Sequence, residues 1–143
     1  MRFDQSQLTL LHGLPFFSLF NDQELLQIVQ EGKWLRIPVG HTVISEGEFE
    51  EEFYLLVRGK LRVFKNRKTL AILKEGDVFG EMGALLHDVR SANVIAMEES
   101  YLFEYKERDL MRLPKTILYP FIKYLFSINA IRLKELNKKY ALL

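Results

Sequence analysis

The chain has 143 residues, 48% of them hydrophobic and 13% aromatic, which is enough for one domain with its own core. Its formal net charge of +1 gives no general reason to expect a polyanionic partner, and without cysteine it has neither disulfides nor thiolate metal sites. The first twenty residues include Asp4, His12 and Pro15 and no long apolar run, so the reading is a cytoplasmic protein without a signal peptide or membrane span.

Residues 1–143 read as a single domain in three parts. Residues 1–32 are helical: Asn21 followed by Glu24 has the form of a capping box, Leu25, Leu26, Ile28 and Val29 supply an apolar stripe, and Gly32 ends the helix. Residues 33–105 switch to short strands rich in Val, Ile, Phe, Tyr and Leu, punctuated by glycine: "TVIS", "FYLLV", "KLRVFK", "KTLAIL", "SANVIA" and "SYLFEY". Asn66 and Arg67 stand where a tight hairpin turn would join two of them. Strands of this size and spacing predict an α+β fold built on an antiparallel β jelly-roll barrel.

Residues 107–140 return to helical spacing. A short helix around "ERDLMR" precedes Pro114 and Pro120, which suit a helix's first turn, and a second helix is predicted over 119–139, about 30 Å long. Its apolar residues, from Phe121 to Leu136, cover more than one narrow stripe. Such a helix needs cover from its own barrel, a second subunit, or both. Two charge runs read as solvated faces: five acids between Glu46 and Glu52, and nine Lys or Arg against four acids over 104–143.

The stretch "FGEMGALLHDVRSANV", residues 79–94, sets Glu81 and Arg90 among mostly apolar neighbours. If a strand ends at Phe79 and a helix starts at Glu81, Gly80 and Gly83 let the backbone come close to a ligand, and the unpaired N–H groups of the first turn attract an anion. Arg90 would add a planar fork of donors suited to phosphate. Glu81 makes sense if the ligand also carries a hydroxyl that a carboxylate can accept. A phosphate and a ribose hydroxyl on one small molecule describe a nucleotide.

Phe79, Gly80, Glu81, Met82 and Gly83, followed by Arg90, Ser91 and Ala92, resemble the phosphate-binding cassette of the cyclic nucleotide-binding domain family. "LPFFSLFNDQELLQI", "GHTVISEGEFEEEFYLLVRGKLRVF" and "AIRLKELN" extend the likeness over about residues 8–138. The resemblance implies that Glu81 accepts from the ribose 2′-hydroxyl and Arg90 pairs with the cyclic phosphate. It further implies that Met82, Gly83 and Ser91 offer backbone N–H groups, with Gly80 lining the sugar and Ala92 completing the cassette. The ligand implied is cAMP, with cGMP the alternative because Ser91 carries a hydroxyl, and a cyclic dinucleotide a more distant one. Val89, where the family often has Pro, and Asn93, where Thr is common, depart from the pattern.

Family members cap the base from the last helix, which makes Tyr124, Leu133 and Asn137 candidates here, with Phe126 and Leu136 beside them. The function implied is a non-catalytic sensor that relays occupancy through its C-terminal helices to a partner or to a dimer mate along 119–139. The rival is a ligand-free scaffold for protein interaction. Enzyme readings lack their residues: His12, His41 and His87 form no close pair of metal ligands, and Ser91 has no His–Asp constellation. Direct DNA binding is not expected, because no helix-turn-helix follows the long helix before Leu143.

Overall fold

The computed structural model describes residues 4–140. Helix α1, Gln5–His12, and helix α2, Asp22–Glu31, each begin with a capping box, Asp4 with Gln7 and Asn21 with Glu24, and a short 3₁₀ turn, Phe17–Leu19, lies between them. The second box is the one read from the sequence. It satisfies donors that a helix start otherwise leaves unpaired.

Eight strands follow: β1 Lys33–Ile37, β2 Thr42–Ile44, β3 Glu52–Arg58, β4 Leu61–Lys65, β5 Lys68–Leu73, β6 Val78–Phe79, β7 Asn93–Ala96 and β8 Ser100–Lys106. They form two four-stranded antiparallel sheets, ordered β1-β8-β3-β6 and β2-β7-β4-β5. The sheets close over Ile44, Tyr54, Leu56, Leu61, Val94 and Leu102, which come from both. This is the expected jelly roll, seen as two facing sheets. The β4–β5 hairpin turns at Asn66 (φ 52°) and Arg67 (φ 62°), the left-handed pair that a two-residue hairpin requires.

The outer face of the β1-β8-β3-β6 sheet carries a second and larger core. Phe53, Leu55, Val57, Phe103 and Tyr105 meet Phe16 and Phe17, α2, and the start of the last helix. Phe16 stands edge-on to Phe17, Phe20, Phe121 and Tyr124, with ring centroids 4.7–5.5 Å apart, a favoured aromatic geometry.

Helix α3, Glu81–Leu86, leaves β6 through Gly80, and α4, Glu107–Leu110, follows β8. Helix α5 runs from Lys115 to Lys139, so it starts four residues before the predicted position. Pro114 is its N-cap, but Pro120 lies inside the helix and not in its first turn. The missing N–H leaves the Thr116 carbonyl without its helical donor. Thr116 is exposed, so water can serve that carbonyl, while buried Ile117 and Phe121 hold the segment on either side. Among the described residues, no helix is long and apolar enough to cross a membrane.

Candidate functional site

Among the described residues, Glu81 and Arg90 are the only buried charged side chains, 3% and 4% exposed. Burying a charge is costly unless specific partners receive it. Both line one cavity of about 380 Å³ between the segment 79–92 and the inner face of the β2-β7-β4-β5 sheet.

Local geometry places them. Gly80 has φ 81°, a left-handed conformation that turns the chain from β6 into α3. A Cβ at Gly80 would stand 3.2 Å from Arg90 Nη1, and one at Gly83 would stand 3.0 Å from it, so both glycines make room for the guanidinium. Arg90 Nη1 donates to the Gly80 carbonyl at 2.7 Å and Nη2 donates to the Glu52 carbonyl, with the Glu50 carboxylate 3.8 Å away. Its Nε, buried as well, has no hydrogen-bond partner among the described residues. A buried donor left in this way is available to a ligand oxygen.

All seven expected cassette residues, Gly80, Glu81, Met82, Gly83, Arg90, Ser91 and Ala92, line this cavity. Apolar wall is supplied by Ile44, Val63, Ala71, Leu73 and Val94. The far end of the segment is tied to the β2–β3 loop, where Arg90 N–H donates to Glu48 O and Gly47 N–H to Arg90 O, at 2.8 and 2.9 Å. The two departures from the family pattern have local explanations. Val89 N–H is taken by the Asp88 carboxylate at 2.8 Å, a bond that proline could not make. Asn93 Oδ1 accepts from Glu46 N–H at 2.8 Å, which secures the same loop.

The base-capping candidates fall elsewhere. Tyr124 packs edge-on to Phe16 in the helical core, and burial, followed by the Asp77 carboxylate, raises its phenol above the ordinary value. Leu133 and Asn137 border a separate hollow along α5. The residue of α5 that does line the cavity is Arg132, which the sequence reading missed. It donates from Nη1 to Glu81 Oε1 at 2.7 Å and from Nη2 to the Val78 carbonyl at 2.8 Å. One signal was present: Arg132 is the single arginine of a helix whose other cations are lysines.

A family model for the cyclic nucleotide-binding domain matches residues 34–116, more than half of the chain. The chain belongs to the cyclic nucleotide-binding domain family. The domain is 31% identical over 139 residues to the cyclic AMP receptor protein of Thermus thermophilus, covering 93% of this chain and 63% of the receptor. It is 33% identical over 88 residues to a cAMP-dependent protein kinase regulatory subunit of Aspergillus niger, covering 60% of this chain and 21% of that subunit. The crystal structure of Thermus thermophilus catabolite activator protein superposes with a TM-score of 0.79 at 28% identity, over 90% of this chain and 62% of that one. The domain therefore spans less than two thirds of these relatives.

Proposed function

We propose that residues 1–143 act as one non-catalytic, cytoplasmic sensor domain that binds a cyclic mononucleotide, with cAMP favoured and cGMP the alternative. One observation carries the reading: the only two buried charges among the described residues, Glu81 and Arg90, line the same cavity. The cyclic phosphate pairs with Arg90, and the ribose 2′-hydroxyl donates to the Glu81 carboxylate. Met82, Gly83 and Ser91 offer N–H groups beside them, while Gly80 and Ala92 keep the wall close. The polar side chains of the lining are a carboxylate, two guanidiniums and a serine hydroxyl, groups suited to hold a phosphate ester, and the carboxylate is itself held by the Arg132 guanidinium.

Occupancy reaches α5 through Arg132, which shares Glu81 with the ribose. Along one face of α5, Tyr119, Ile122, Phe126, Asn129, Leu133 and Leu136 follow in alternating steps of three and four residues. The apolar members of this stripe are exposed, Phe126 by 75%. Such a stripe is a coiled-coil seam, with Asn129 as the polar residue that sets register, and a parallel dimer mate would cover it. A ligand that reorders Arg132 and Glu81 therefore biases how α5 meets its mate, provided that it binds the two arrangements unequally.

Calorimetric titration with cAMP and with cGMP tests the reading, using the native chain, Arg90→Ala and Arg90→Lys. Arg90→Ala is expected to weaken binding by about 2–3 kcal/mol, the size of a charge-assisted contact, and Arg90→Lys, which lacks the fork, by less. Melting curves without nucleotide separate this loss from unfolding. A second reading, a scaffold without ligand, has one observation in its favour: protein groups already engage Glu81 and both terminal nitrogens of Arg90. Absence of heat with either nucleotide, together with no thermal shift at saturating concentration, would decide for the scaffold.

A further inference from the structure

We infer that the free edge of β5 docks an acidic, extended segment of a partner protein by strand addition. β5 pairs with β4 alone and ends its sheet, so one side of its backbone has no ladder partner. Lys68 to Ile72 are all exposed, including the large apolar Leu70 and Ile72.

Charge selects the partner. Residues 60–74 hold Lys60, Arg62, Lys65, Arg67, Lys68 and Lys74 and no acid, in a chain whose net charge is only +1. Among the described residues, Lys65 is the only one of the six in an ion pair, with Glu46 at 3.8 Å. These like charges disfavour pairing between two copies of the edge, and they favour an acidic strand, which is how one set of residues both blocks self-association and specifies a partner. Backbone hydrogen bonds would supply affinity, with Leu70 and Ile72 receiving apolar side chains of the added strand.

Other polyanions fit less well. The single aromatic ring of the hairpin, Phe64, has the Arg62 guanidinium over it at 4.8 Å, so that face is not free to stack a nucleobase. The hairpin tip is Asn66 and Arg67 between two lysines, while the exposed apolar residues lie farther back, the reverse of a membrane-inserting wedge.

The test uses the full chain and a blocked peptide of alternating Glu and Val, with the same peptide N-methylated at every residue as the control. Amide exchange is read by NMR. The expected result is binding that slows exchange of amides within Lys68–Leu73 at least about tenfold and is weakened by about tenfold or more on N-methylation, since the added strand then has no N–H to donate and its methyl groups hold it off the edge. Lys68→Glu with Lys74→Glu should weaken binding by about tenfold while leaving the melting temperature unchanged. No binding at millimolar peptide overturns the inference. So does equal binding of the fully N-methylated peptide, and so does protection of β5 by oligothymidylate or phosphatidylserine vesicles but not by the peptide.

Discussion

The two sheets contrast. In the β1-β8-β3-β6 sheet both faces are covered: Phe53, Leu55, Val57, Phe103 and Tyr105 meet the helices, and Tyr54, Leu56 and Leu102 meet the other sheet. The β2-β7-β4-β5 sheet covers one face only, and in β5 only Leu73 is buried. A strand covered on both faces is a continuous apolar run, as in "FYLLV", whereas a strand with one wet face alternates. The first sheet is therefore the stable platform. The second, with Ala71 and Leu73 forming cavity wall, provides the site and an open edge.

The sharpest way to break this contrast is to truncate one residue in each sheet. Phe103→Ala should cost about 3–5 kcal/mol in urea denaturation, as expected for a fully buried aromatic whose space does not refill. Ile72→Ala should stay within about 0.5 kcal/mol. Similar losses would mean that the second sheet contributes to the core as heavily as the first.

Helix α5 repeats the contrast between its faces, with Ile117, Phe121 and Leu125 buried and Phe126, Leu133 and Leu136 exposed. Phe126→Glu with Leu133→Glu should abolish dimers in sedimentation, raising the dissociation constant by about a hundredfold or more, because two like charges then face each other across the seam. A native chain that sediments as a monomer at high concentration, with or without nucleotide, would remove the dimer from the proposal. Arg132→Ala is expected to change nucleotide affinity by about tenfold at most, since Arg90 remains. Its larger effect should be on coupling, through loss of the nucleotide-dependent change in amide exchange over residues 129–140. Retention of that change would show that coupling bypasses Arg132.

Much of this was legible in the sequence because it is local. The Asn21–Glu24 box, the Asn66–Arg67 turn and the step from β6 through Gly80 into α3 each depend on residues adjacent in the chain, so their chemistry could be read directly. The gathering of Gly80 to Ala92 on one cavity follows from the same short segment. What spacing could not supply was contact between distant elements. Arg132 meets Glu81 across 51 positions, and Tyr124 turns toward Phe16 and away from the cavity because the helical core takes up that face of α5. The helix start reads late in the sequence because Pro120 resembles a first-turn residue, whereas the Leu118 N–H already donates to the Pro114 carbonyl at 2.8 Å and the helix is under way.

The inner face of the first sheet turns polar at one end, and this sharpens the contrast through pH. Glu104 of β8 faces Tyr54 of β3, whose hydroxyl donates to it, with Glu52, Lys33 and Lys106 nearby. Burial first, and the Glu52 carboxylate second, raise the Glu104 pKa above the ordinary glutamate value, against smaller opposing pulls from the two lysines and the Tyr54 hydrogen bond. The folded state thus holds this proton more tightly than the unfolded chain. Its contribution is fully present below the ordinary value and is lost as pH rises through the raised one. Glu104→Gln keeps an acceptor for Tyr54 without a charge to desolvate, so it should be more stable than the native chain at neutral pH, with the difference shrinking toward zero in acid. Denaturation midpoints across that range give the answer. A variant that is less stable at neutral pH would show that Lys33 and Lys106 outweigh burial, and that the open end of the first sheet is held by ion pairs as well as by its apolar faces.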